Sequence, residues 1–236
     1  MTDNGKYPNI IKEAEVAYNY DAMADDAAKG NENNDNAESD SYVVKKSRPL
    51  KKPGEYTIDD YDAWPEDERI ELIDGRIYYM GAPTLVHQLI AGSVYTSIAI
   101  FIKGRDGSCM PGISPIDVQL DNDEKTVVQP DVIIDCREKR DSIKRVIGAP
   151  DFVLEVLSPS TRRKDKELKT EKYRNAGCRE YWIVDPEDET VTVIDFEHGG
   201  EQAEYTFEEV VPVTIYSGEL EIDFKEIKMQ LEKYFG

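Results

Sequence analysis

At 236 residues the chain has enough length for one domain with a core of ordinary size. Its formal net charge of -20, from 29 Lys and Arg against 49 Asp and Glu, excludes a generic polyanion binder that coats nucleic acid through one broad basic face. Three widely spaced cysteines without a CxxC pair, Cys109, Cys136 and Cys178, point to neither a disulfide framework nor a zinc site, and so to a cytoplasmic protein.

Residues 1–50 read as a flexible acidic arm ahead of a folded domain over 51–236, because Ala22 to Ser41 is polar, rich in Asn, Asp and Ala, and without hydrophobic period. No apolar stretch follows a basic start, and no run of ~18 apolar residues is uninterrupted, so neither signal peptide nor membrane span is expected. Thr57 followed by Asp60 predicts a capping box at the start of a short helix. Asp74-Gly75 between two alternating runs predicts a hairpin. Thr84 to Lys103 carries apolar residues near helical spacing and predicts an amphipathic helix.

Ile113 to Leu120 and Thr126 to Asp135 predict two antiparallel strands, and Asp151 to Leu157 a third beyond a charged connection. A helix over about Lys164 to Asn175 ends at Gly177, followed by a strongly apolar strand, "REYWIVDP", and a partner, "TVTVIDFE". The last residues, "DFKEIKMQLEKYF", predict a closing helix. The fold class expected from these elements is α+β, a mixed central sheet flanked by helices.

One run does not suit a dry strand: "DFVLEVL" carries Glu155 among apolar residues. Strand alternation puts Asp131 on one face with Gln129 and Ile133, and Glu155 on one face with Val153 and Leu157, so neighbouring strands would bring the two carboxylates together. A buried carboxylate needs a cation or a set of donors to stay charged. A shared divalent ion, Mg²⁺ or Mn²⁺, would need little more than two carboxylates, a main-chain carbonyl and water. On the helix that follows, Asp165, Lys169 and Tyr173 fall at i, i+4 and i+8 on one face. Arg137 to Arg179 holds 13 basic against 7 acidic residues in an otherwise acidic chain, a local patch suited to a phosphate backbone. Lys169 would then stabilise negative charge developing on phosphorus oxygens.

With these residues in order, "ELIDGRIYYM", His87, "QPDVIID", "DFVLEVLSPSTRRKDKELKTEKY" and "AGCREYWIVDP", the chain resembles the Uma-two family, a branch of the PD-(D/E)xK superfamily of restriction-endonuclease-like nucleases, over roughly Tyr56 to Phe224. The resemblance implies a restriction-endonuclease-like core and Mg²⁺-dependent hydrolysis of phosphodiester bonds. The partner expected is a nucleic acid, with DNA taken as the substrate, and a homodimer is one arrangement for cutting two strands. It makes Asp131 the aspartate of the "PD" and Glu155 the acid of the "(D/E)xK". Leu157 stands where the superfamily has its lysine, and Lys169 on the next helix matches the family's displaced one. Glu71 and His87 are similar in placement to residues bordering the site.

Each residue also has a plainer reading. Lys169 and Asp165 could pair on a solvated helix face, Tyr173 could be a core-edge aromatic, His87 a structural histidine, Glu71 the wet face of a hairpin, and Gln129 a neutral strand residue that orients a water. Ser158, Ser160 and Thr161 suit a helix cap, and no GxSxG elbow accompanies them. The rival to an active endonuclease is a nuclease-like module without catalysis that binds nucleic acid or regulates; a third is a protein-binding role for the acidic surface.

Overall fold

The computed structural model describes residues 50–120, 124–140, 142–159 and 161–236; all but the last residue of the expected acidic arm, and Ser160 of the expected cap, lie outside the described residues. In chain order the elements are α1 (Ile58–Asp62), β1 (Ile70–Ile73), β2 (Arg76–Tyr79), α2 (Leu85–Lys103), β3 (Met110–Ile113), β4 (Val118–Gln119), β5 (Val127–Val128), β6 (Val132–Asp135), β7 (Val146–Ile147) and β8 (Phe152–Val156). A π-helical stretch (Lys164–Lys169) then runs into α3 (Thr170–Ala176), followed by β9 (Glu180–Asp185), β10 (Thr190–Asp195), β11 (Glu201–Thr206), β12 (Val210–Pro212), β13 (Glu221–Asp223) and α4 (Phe224–Phe235).

These strands form a six-stranded sheet in the order β11-β10-β9-β8-β6-β3, a five-stranded sheet β2-β1-β5-β4-β7, and the small pair β12-β13. The expected α+β class is therefore the observed one. At the start of α1 the Asp60 carboxylate accepts hydrogen bonds from the Thr57 amide at 2.8 Å and its hydroxyl at 3.1 Å, the acidic half of a capping box. The β1–β2 turn has both central residues left-handed, Asp74 at φ 51° and Gly75 at φ 69°, which matches the twist of the strands it joins.

Gly75 is required twice over, since a Cβ there would sit 2.5 Å from the Gly54 carbonyl oxygen. Gly75→Ala should cost about 2 kcal/mol or more from left-handed backbone and overpacking together. That corresponds to a melting temperature lower by roughly 4–8 °C for a domain of this size, and an unchanged melting curve would contradict it.

The two long strands expected over 113–120 and 126–135 are each broken in two. Pro115 and Pro130 lie at the breaks; a residue without an amide N–H cannot donate to a ladder and is tolerated within a strand only at an edge, as Pro111 is in β3. Beyond them the chain changes sheets, so β4 pairs antiparallel with β5 in one sheet while β3 pairs antiparallel with β6 in the other. The charged connection contains β7, parallel to β4, which its polar surroundings concealed.

Both faces of the six-stranded sheet are covered, which is why β8 is buried at all five positions and reads as a continuous apolar run. One face carries Val132, Ile134, Phe152, Leu154 and Trp182, and packs against Ile90, Val94 and Ile98 of α2 and Phe224 and Leu231 of α4. The other carries Ile133, Val153, Leu157 and Tyr181 and packs on Tyr173 of α3 and on Val118 and Val128 of the second sheet. By length and composition α2, with a mean hydropathy of 1.6, could also cross a bilayer. A search for uninterrupted apolar runs passes over it because His87, Gln88 and several hydroxyls interrupt the sequence. Here its inner stripe is buried on the sheet while Leu85 and Ile100 remain exposed.

The cysteine expectation is corrected. Cys109 and Cys136 flank the paired strands β3 and β6 and are joined by a disulfide, and Cys178 alone is free and buried. Sequence spacing gave no sign of it, because the two come together through strand pairing across a separation of 27 residues and need no local motif.

Candidate functional site

The site lies where β6 and β8 run side by side. Their antiparallel register pairs Val132 with Leu154 and Ile133 with Val153, so one further step sets Asp131 across from Glu155. Asp131 is held from two sides, its Oδ2 accepting the Val156 amide at 2.8 Å and lying 3.1 Å from Nε2 of His87. His87 comes from the first turn of α2, whose N-cap Thr84 accepts the His87 amide at 3.2 Å. Burial pushes the imidazole down, but the Asp131 carboxylate more than offsets it and holds its pKa above the ordinary value.

Glu155 is buried on the neighbouring strand, and its Oε1 accepts hydrogen bonds from Lys169 Nζ and from the Tyr173 hydroxyl, each at 2.7 Å. Lys169 also reaches Glu71 Oε1 at 2.7 Å and Asp165 Oδ1 at 3.5 Å. Asp165, Lys169 and Tyr173 thus share a face as expected, but the face is buried, and the reading of Asp165 and Lys169 as a solvated pair is corrected. Lys169 touches Glu155 directly.

For Glu71 it is the plainer reading, the wet face of a hairpin, that is corrected. Glu71 is wholly buried in the centre of β1, where Lys164 Nζ meets its Oε2 at 2.5 Å and the Gln129 amide donates to its Oε1 at 3.0 Å. Burial would raise its pKa, but Lys169 and Lys164 outweigh that and hold it near 2. Gln129 enters the site only through this main-chain N–H. Its side-chain amide turns toward Arg69, Tyr61 and Asp117 and does not share the surroundings of Asp131.

Lys164 is the residue that α-helical spacing does not find. Five residues apart on an α-helix lie on different faces, but i→i+5 bonding over Lys164–Lys169 brings the two ends of that span together, so that both lysines grip one carboxylate. The signal available in the sequence was composition, a lysine at each end of "KDKELK", without the period.

Three carboxylates, Glu71, Glu155 and Asp165, therefore face two ammonium groups, with Asp131 beside them on His87. Glu155 bears the imbalance. Burial raises its pKa most, Lys169 lowers it only in part, and Asp165, Asp131 and Glu71 raise it further, so that it stands well above the usual carboxylate range. Oδ1 of Asp165 is buried without a hydrogen-bond partner among the described residues. A carboxylate oxygen without a hydrogen bond, in a cluster whose acids outnumber its cations, suits a divalent cation. Among the described residues no three or more His, Cys, Asp or Glu are disposed to enclose a metal. A divalent ion here would therefore have at most two of these carboxylates as ligands and would keep several waters.

The chain is similar to known proteins in sequence and in fold. A protein of Synechocystis sp., described only as uncharacterized, is 30% identical over 150 residues, which cover 62% of this chain and 76% of that protein. The crystal structure of a "putative nuclease belonging to DUF820" from Anabaena variabilis superposes with a TM-score of 0.62 at 22% identity, covering 74% of this chain and 98% of that one, and so shares the fold. Residues 58–225, spanning β1 to β13 and every acid and lysine of the cluster, match the sequence model of the Uma2 family, described as "Putative restriction endonuclease", and the chain belongs to that family, with its restriction-endonuclease-like α+β fold.

Proposed function

We propose that the protein is a divalent-metal-dependent endonuclease that hydrolyses phosphodiester bonds of DNA. The observation that carries this reading is the opposition of Asp131 and Glu155 across β6 and β8, in a buried cluster whose acids outnumber its cations. Asp131 and Glu155 would hold Mg²⁺ or Mn²⁺, with Asp165 beside them. When bound, such an ion supplies Lewis acidity toward a phosphoryl oxygen and a coordinated water of lowered pKa.

The chain's own groups do the rest. Val156 N–H and His87 fix the Asp131 carboxylate, and Tyr173 and Lys169 fix that of Glu155, so the two acids are held in place before substrate arrives. Lys169 places its positive charge on that same carboxylate and opposes the protonation that burial favours. The family membership supports a nuclease-type activity, and the basic stretch 137–179 supports a nucleic acid as partner. Cutting both strands of a duplex would take two such sites, and the exposed Leu85 and Ile100 on α2 offer a surface through which two copies could form a homodimer.

One observation favours the rival module without catalysis: Leu157, buried in the core, occupies the position of the superfamily's lysine. The two readings separate on a labelled DNA duplex incubated with the full chain. The endonuclease predicts cleavage with Mg²⁺ or Mn²⁺ that EDTA abolishes, and the module predicts retention of the duplex without cleavage.

A further inference from the structure

The two lysines that grip Glu71 are not equivalent, and resting on the reading above we infer that Lys164 is the residue that contacts a non-bridging oxygen of the substrate phosphodiester. Lys169 is spent within the cluster. Its ammonium group has three N–H bonds and three carboxylates around it, Glu71 and Glu155 at 2.7 Å and Asp165 at 3.5 Å, with a side chain 3% exposed. It orients Glu155 and balances buried charge, and its burial keeps it from turning outward.

Lys164 has a different inventory. Its ammonium meets one carboxylate oxygen, Glu71 Oε2 at 2.5 Å, and lies 5.5 Å from the centre of the Tyr78 ring, with a side chain 12% exposed. Its two other N–H bonds meet no acceptor among the described residues. Tyr78 stands opposite Glu71 in the β1–β2 register and also lines a cavity of about 160 Å³ with Pro53, Tyr56, Arg76 and Ile77. Lys164 is not itself part of that lining, but through Tyr78 it is the lysine of the pair on the cavity's side, more exposed than Lys169 and with donors to spare for an anion. Glu71 is the positioning residue, since one carboxylate directs Lys169 inward through Oε1 and Lys164 outward through Oε2. The π-helical stretch is what makes this possible, because α-helical winding would carry Lys164 off the face that Lys169 occupies.

The test uses the full chain and the variants Lys164→Gln and Lys164→Arg, with three readouts: cleavage of a DNA duplex in Mn²⁺, duplex affinity in Ca²⁺ over a range of salt, and Mn²⁺ binding by calorimetry without DNA. Lys164→Gln should lower kcat about 100-fold, the loss typical of removing one donor to developing charge. It should also reduce the salt slope of duplex binding by about one phosphate contact, while leaving Mn²⁺ affinity within about twofold. Lys164→Arg, which retains a cation at that site, should recover much of both. Normal cleavage and an unchanged salt slope in Lys164→Gln would overturn the inference while leaving the endonuclease intact. Loss of Mn²⁺ binding along with cleavage would also overturn it, by making Lys164 a support for the metal. A parent protein that neither binds Mn²⁺ nor engages DNA would instead remove the proposed function, and this inference with it.

Discussion

Asp131→Asn is expected to abolish cleavage, with kcat/KM reduced by at least about 10³, while the fold persists. The size follows from the chemistry, since loss of a metal ligand forfeits several kcal/mol of charge stabilisation in the transition state, and ~4 kcal/mol is a factor of about 10³. Asparagine is a sharper choice than alanine here. Asp131 Oδ2 accepts the Val156 amide of β8, and an alanine would leave that buried N–H without an acceptor, at a cost of about 1–3 kcal/mol. Asparagine keeps an acceptor of the same shape and removes the charge. The expected pattern is therefore no cleavage, no stabilisation by Mn²⁺ in a thermal melt, and a metal-free melting temperature close to that of the parent. Residual cleavage above a few per cent would mean that Asp131 only ties β6 to β8.

Lys169→Met is expected to have the largest effect on stability. Methionine matches the stem of the lysine but leaves Glu71, Glu155 and Asp165 buried around an apolar group. Removing one partner of a buried ion pair typically costs about 3–5 kcal/mol, because the stranded charge remains. For a domain of this size that lowers the melting temperature by roughly 10 °C. Adding Glu155→Gln should restore part of the loss, since it removes the carboxylate that bears most of the imbalance and leaves Tyr173 an acceptor. A double-mutant cycle measures this directly as a coupling between contacting residues. Independent effects of the two substitutions would show that Lys169 stabilises through packing alone.

Much of this fold was legible wherever local chemistry decides the outcome. The Thr57 and Asp60 cap, the Asp74-Gly75 turn, the Gly177 stop and the β9–β10 hairpin each depend on a few adjacent residues, and each is found where it was expected. What escaped is decided at a distance. β11, "EQAEYT", is exposed and largely polar, and is a strand because β10 offers it a ladder. The switch of sheets at Pro115 and Pro130 required knowing that two sheets exist. The Cys109–Cys136 bond depends on the β3–β6 pairing.

The site divides in the same way. Asp131 and Glu155 could be named because alternation along strands survives into the structure. The burial of Glu71 could not be foreseen, because an acid between two apolar residues on a hairpin reads as a wet face until a second layer covers it. Lys164 was missed for a single reason, the π-helical stretch. Burial alone is also no guide. Glu180 is as deeply buried as Glu155, yet it accepts N–H bonds from Trp182 at 2.6 Å and from Thr214 and Ile215 at 3.0 Å, which satisfies it without any cation. What distinguishes Glu155 is the company of other carboxylates.

The most direct measurement is a Mn²⁺ soak of crystals of the full chain, with anomalous difference maps collected at the manganese edge. A single strong peak coordinated by Asp131 and Glu155 is the expected result. A saturating soak that leaves these two carboxylates without a peak, with Lys169 still closed on Glu155, would contradict the account.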